Sequence, residues 1–243
     1  MDPKEHFIFA LDVEHFDEAR KLVLELKDHV GMFKVGKQLF THCGPKIVDF
    51  IKMKNSKVFL DLKYHDIPNT VSKASIEAAK LGVDMLNVHT MGGFTMMNET
   101  KQAVQNAVKS LNIHRPTLIG VTVLTSLDKA ELERMGIQIS VDVLTKNLTR
   151  LAKDAGMDGV VAGGSEIELI RELCGKDFVI VTPGVRIEEK KDDQKRTIGP
   201  VEAIMRGATY IVLGRAVRDN PNPGALLEKI GRDIIDAASQ GKQ

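Results

Sequence analysis

Val58-Phe59-Leu60-Asp61-Leu62-Lys63-Tyr64-His65-Asp66-Ile67-Pro68-Asn69-Thr70 begins as an apolar run, acquires three charges at Asp61, Lys63 and Asp66, and turns through a proline into polar residues that suit a helix start. A short apolar run bounded by a turn and followed by helical spacing is one βα unit. The charges fall where the strand ends. Solvated loops are seldom composed this way, so the stretch predicts a strand whose C-terminal end carries function.

The same pattern recurs on both sides of it. Strand candidates are Phe7–Val13, Met32–Lys37, Val58–Lys63, Met85–Thr90, Leu118–Val123, Gly159–Ala162, Phe178–Thr182 and Tyr210–Gly214, each rich in Val, Ile, Leu or Phe as strands covered on both faces are. Helical spacing fills the intervals at His15–Asp28, Pro45–Lys54, Thr70–Leu81, Thr95–Lys109, Val141–Ala155, Glu166–Leu173, Pro200–Met205 and Ala225–Ser239. Gly82, Gly156, Gly175 and Gly207 follow four of these, where a left-handed residue closes a helix. Eight βα units in 243 residues predict a parallel (β/α)8 TIM barrel in preference to a doubly wound open sheet, with residues 1–243 as a single domain.

Composition narrows the function classes. Lys and Arg total 34 against 33 Asp and Glu, so no basic surface for nucleic acid is indicated and any phosphate chemistry must be local. The apolar stretches fall short of the ~20 residues that span a bilayer, and Met1–Val13 lacks the pattern of a secretion signal. A cytoplasmic enzyme is expected. Cys43 and Cys174 form no CxxC pair and are read as small core residues in a reducing compartment. His65 and His89 lack any metal-ligand spacing and are read as structural, and the Met96-Met97 pair as packing.

Catalytic groups of a barrel gather at the C-terminal ends of its strands. Alternation along a strand puts Ala10 with Asp12, Met32 with Lys34 and Gly36, and Phe59 with Asp61 and Lys63. If those faces point inward, two cations and two anions converge at the barrel mouth. The bland alternative is an ion-pair network that only supports the barrel. Asp66, five positions after Asp61, has the opposite parity and lies beyond the strand, where it can serve a different cavity.

The stretch Asp61-Leu62-Lys63-Tyr64-His65-Asp66-Ile67-Pro68-Asn69-Thr70 resembles the Asp-x-Lys-x-x-Asp-Ile/Val-Pro/Gly-x-Thr signature of the orotidine 5′-phosphate decarboxylase family. Ala10-Leu11-Asp12 and Phe33-Lys34-Val35-Gly36 are similar to that family's first two strand ends, and the likeness covers essentially the whole chain. Thr182-Pro183-Gly184-Val185-Arg186, Asp193-Gln194-Lys195-Arg196 and Leu213-Gly214-Arg215 resemble its phosphate-gripping elements. Loops after strands 7 and 8 suit that task, and an arginine fork binds phosphate well.

The resemblance implies a cofactor-free and metal-free decarboxylation of orotidine 5′-phosphate to UMP. Lys63 would be the proton donor, with Asp61, Lys34 and Asp66 completing the catalytic array. Asp12 and Lys34 would meet the ribose, and Thr125 and Ser126 the pyrimidine. Pro183, Arg186, Gln194, Gly214 and Arg215 would hold the phosphate, the charged stretch from Gly184 to Gly199 acting as a lid. Asp66, Ile67 and Thr70 would come from the second subunit of a homodimer. Two rivals are a Mg²⁺-dependent sugar-phosphate decarboxylase or synthase of the same suite, against which Lys34 speaks, and a silent nucleotide-binding barrel.

Overall fold

The computed structural model describes residues 2–187 and 198–240. Eight parallel strands close on themselves in chain order: β1 (Phe7–Ala10), β2 (Met32–Gly36), β3 (Lys57–Tyr64), β4 (Met85–His89), β5 (Thr117–Val121), β6 (Gly159–Val161), β7 (Val179–Thr182) and β8 (Tyr210–Leu213). The (β/α)8 expectation holds, and each predicted strand overlaps an observed one.

The helices around the strands are α1 (Phe16–Leu26), α2 (Lys37–Cys43), α3 (Lys46–Met53), α4 (Pro68–Lys80), α5 (Gly93–Leu111), α6 (Lys129–Arg134), α7 (Val141–Asp154), α8 (Ile167–Cys174), α9 (Pro200–Met205), α10 (Arg215–Arg218) and α11 (Pro223–Gln240). Gly82, Gly156, Gly175 and Gly207 all have positive φ, as their placement after helices predicts. Helices α2, α6 and α10 were not expected. Each spans seven residues or fewer and, unlike the equally short α9, none opens on a proline that marks a helix start. Among the described residues, no helix is long and apolar enough to cross a membrane.

Two apolar layers follow from strand alternation. Ile8, Met32, Phe59, Met85, Ile119 and Val181 fill the barrel interior. Leu11, Phe33, Val35, Leu60, Leu86, Val88, Val160 and Ile180 lie in the larger layer between sheet and helices. Full burial of one such side chain is worth roughly 1.5–3 kcal/mol, so the strand runs are apolar on both faces. Met96 and Met97 are buried in the outer layer, as packing residues should be. Cys43 and Cys174 are only partly buried against that layer, because each is the last residue of its helix. The core reading is corrected to that extent.

Inward parity also reaches Gly159, where an added Cβ would come within 2.1 Å of the Val179 carbonyl oxygen, so only glycine lets β6 and β7 approach there.

The opposite end of the barrel carries a repeated clasp. The residue before β4, β6 and β8 donates its N–H to a carbonyl on the preceding strand: Asp84 to Val58, Asp158 to Leu118 and Thr209 to Ile180. Each side chain then accepts the N–H of the same residue, at 2.8, 2.8 and 3.0 Å. Asp158 additionally takes the buried Lys101 ammonium at 2.6 Å and Arg115 at 2.7 Å. This clasp lies at the N-terminal end, away from the strand ends where barrel enzymes place their functional groups.

Candidate active site

Asp12 lies two residues beyond β1, Lys34 is the middle residue of β2, and Asp61 and Lys63 lie near the end of β3. Their side chains form an alternating row. Lys34 Nζ stands 3.0 Å from Asp12 Oδ1 and 3.3 Å from Asp61 Oδ2, while Lys63 Nζ donates to Asp61 Oδ1 at 2.6 Å.

Lys34 and Asp61 are 9% and 8% exposed, so each charge depends on the other for stabilisation. Burial works against the Lys34 ammonium, yet Asp61 and Asp12 outweigh it and hold its pKa above the ordinary lysine value. Burial likewise opposes the Asp61 carboxylate, but Lys34, Lys63 and the Asn87 amide hold its pKa below the ordinary value. Both groups are therefore charged across the neutral range.

The row borders a cavity of about 380 Å³ that is also lined by Thr125, Ser126, Pro183, Arg186, Gly214 and Arg215. These come from the segments after β5, β7 and β8. The cavity thus has a charged side on β1 to β3, apolar walls at Val121, Val161, Val181 and Val212, and two arginines beyond them. That combination suits a planar polar ring carrying a remote anion. Among the described residues, no group of three or more His, Cys, Asp or Glu side chains is placed to hold a metal ion.

A family model described as "Orotidine 5′-phosphate decarboxylase / HUMPS family" matches residues 5–230. The chain belongs to that family. Among its relatives, the orotidine 5′-phosphate decarboxylase of Geobacter sp. (strain M21) is 48% identical over 229 residues, covering 94% of this chain and 95% of the relative. That of Syntrophus aciditrophicus (strain SB) is 47% identical over 238 residues, covering 97% of this chain and 95% of the relative. The crystal structure of orotidine 5′-phosphate decarboxylase from Lactobacillus acidophilus superposes with a TM-score of 0.82 at 31% identity, covering 94% of this chain and 98% of that one.

Of the family signature, Asp61 and Lys63 face the cavity, whereas Asp66, Ile67 and Thr70 do not line it. All three are exposed, Ile67 to 66%, and Asp66 Oδ1 accepts its neighbour's N–H, from Ile67 at 2.7 Å. Gln194, with Asp193, Lys195 and Arg196, lies outside the described residues, as do residues 188–197 of the expected lid. Its described flanks are tied together by a bridge between Val185 and Ile198 and by the Arg186 N–H, which donates to the Ile198 carbonyl at 3.0 Å.

Two supporting residues escaped the sequence reading. Arg218 Nη1 donates to the Asp12 carbonyl at 2.8 Å and steadies the first anion. Asn87, 1% exposed, bonds both Asp61 and the Lys63 backbone. Its signal was available: a lone amide on β4 with the parity of Met85, an interior residue. His89 was read as structural, and its ring stacks on His65 with centroids 5.3 Å apart.

Proposed function

We propose that this protein decarboxylates orotidine 5′-phosphate to UMP and CO2 in pyrimidine nucleotide biosynthesis, acting in the cytoplasm without metal or cofactor and without nucleic acid or membrane as partner. The whole chain, 1–243, serves as one catalytic barrel. The observation that carries the reading is the row Asp12, Lys34, Asp61, Lys63, in which one buried carboxylate is gripped between two ammonium groups on the wall of a nucleotide-sized cavity.

The chemistry follows from that placement. The bond between C6 and the carboxyl carbon breaks, CO2 departs, and the electron pair stays on C6. Lys63 Nζ then gives its proton to C6, forming the new C–H bond, and the neutral amine regains a proton from solvent. Until that transfer, the ammonium also stabilises negative charge growing beside it. Asp61 lies against the departing carboxylate and favours its loss while fixing the ammonium.

Lys34 and Asp12 hold the ribose, and Thr125 and Ser126 meet the pyrimidine. Pro183, Arg186, Gln194, Gly214 and Arg215 take the phosphate, so that binding energy far from C6 organises the charged row. The exposure of Asp66, Ile67 and Thr70 supports a homodimer in which they reach the neighbouring site, Asp66 extending the catalytic array there. Lys34 argues against the Mg²⁺-dependent rival, because an ammonium already stands between the two carboxylates a cation would need.

The deciding assay is loss of orotidine 5′-phosphate absorbance with EDTA present. Full turnover is expected. Dependence on divalent metal would favour the rival enzyme, and tight UMP binding with no CO2 released would favour the silent barrel.

A further inference from the structure

The sheet is irregular at one place on its functional edge. Leu60 pairs with Leu86 and Tyr64 with Val88, so Asp61, Leu62 and Lys63 of β3 stand opposite the single residue Asn87 of β4. Three residues facing one cannot continue a ladder, and peptide groups there need other partners. The Asn87 side chain takes the place of the missing peptide. Its Oδ1 accepts the Lys63 N–H at 2.8 Å, and its Nδ2 donates to Asp61 Oδ1 at 2.7 Å. Chemistry fixes the orientation of the amide, since a peptide N–H only donates and a carboxylate only accepts.

Lys63 itself has φ of 51°, in the left-handed region that side chains with a Cβ disfavour. It holds that conformation while its N–H is bonded to a residue that is 1% exposed. Asn87 does not line the cavity, so any effect on substrate must pass through Asp61 and Lys63.

We infer that Asn87 is a positioning residue for the reaction: one amide clamps the backbone of the proton donor and the carboxylate beside it, and so sets where the Lys63 ammonium meets C6. The inference rests on Lys63 as the proton donor proposed above. A purely structural amide would matter for folding and equally for every ligand; a clamp matters for the chemical step.

The test measures orotidine 5′-phosphate turnover and UMP affinity across pH for wild type, Asn87→Ala and Asn87→Asp. Asn87→Ala should lose about a hundredfold in kcat, with UMP affinity within about threefold of wild type, the pattern of a misplaced catalytic group. In Asn87→Asp the introduced carboxyl still accepts from Lys63, but it donates to Asp61 only while protonated and repels Asp61 once ionised. The charged and titratable groups around it are Asp61 and Lys63 on β3, Lys34 on β2, Asp12 beyond Lys34, and His89 on its own strand. The turnover of Asn87→Asp relative to wild type should therefore rise as pH falls, while the ratio for Asn87→Ala stays flat.

An Asn87→Ala kcat within about twofold of wild type, UMP affinity falling in step with kcat, or a pH-independent ratio for Asn87→Asp would overturn the clamp. Should Asn87→Ala fail to fold, the Asn87→Asp profile decides alone. Absence of turnover in wild type would instead strike the assigned reaction, and this inference with it.

Discussion

Asp61 satisfies three donors with two oxygens, and the site is built around that arrangement. Lys63→Ala should lower kcat by at least about a hundredfold, the range for a lost general acid, while UMP binding stays measurable. Normal turnover in that variant, followed by absorbance, would remove the proposed donor. His89 gives a second prediction. Burial first, then His65, Lys63 and Lys37, push its pKa down from 6.5 to about 4, and its buried Nδ1 has no hydrogen-bond partner among the described residues. Between those values the unfolded chain binds a proton that the folded one refuses, so stability falls as pH drops from 6.5 towards 4. Urea midpoints should show wild type losing about 1 kcal/mol more than His89→Asn at pH 5, allowing for solvent screening; parallel losses would refute the assignment. Asp12, Lys34, Asp61 and Lys63 were legible because charge within a strand or at its end stands out against apolar neighbours. Asn87 offered only its parity with the interior Met85; its bonds to Asp61 and the Lys63 backbone were hidden, because they depend on an irregularity that no glycine or proline between Leu60 and Tyr64 announces. Lys63 reaches the cavity as alternation expected, but through a left-handed residue rather than a straight strand.

At the scale of elements, the strands could be read because burial on two faces makes them continuous apolar runs, and the longer helices because one face repeats. A short helix such as α6 carries too few turns for that signal alone, whereas the equally short α9 is marked by its opening Pro200. The clasp at the N-terminal end was also hidden. A lone Asp or Thr before a strand is indistinguishable in sequence from any loop residue, and only closure of the sheet gives it a partner. Asp158→Ala tests its worth. It would strand the Lys101 ammonium, 7% exposed, and the Leu118 N–H, at a cost of about 3 kcal/mol in chemical denaturation. Adding Lys101→Met should recover part of the loss, and kcat of the folded fraction should be unchanged because the clasp lies at the other end of the barrel. A loss below about 0.5 kcal/mol would show the clasp to be incidental.

For the molecule as a whole, the proposed homodimer makes each site depend on two chains. Lys63→Ala and Asp66→Asn preparations, each inactive alone, should regain up to about a quarter of wild-type activity after mixing and subunit exchange, since half the dimers then hold one intact site. No recovery despite demonstrated exchange would mean that Asp66 serves its own subunit or none. The three-against-one pairing of β3 and β4 has a consequence for how such a barrel can change. Excising Leu62 and Lys63 would let Asp61 face Asn87 and Tyr64 follow in register, giving an uninterrupted sheet without the proposed proton donor. Regular geometry and a working lysine therefore exclude each other at this edge, and lineages free of selection for turnover would be expected to drift towards the shorter strand.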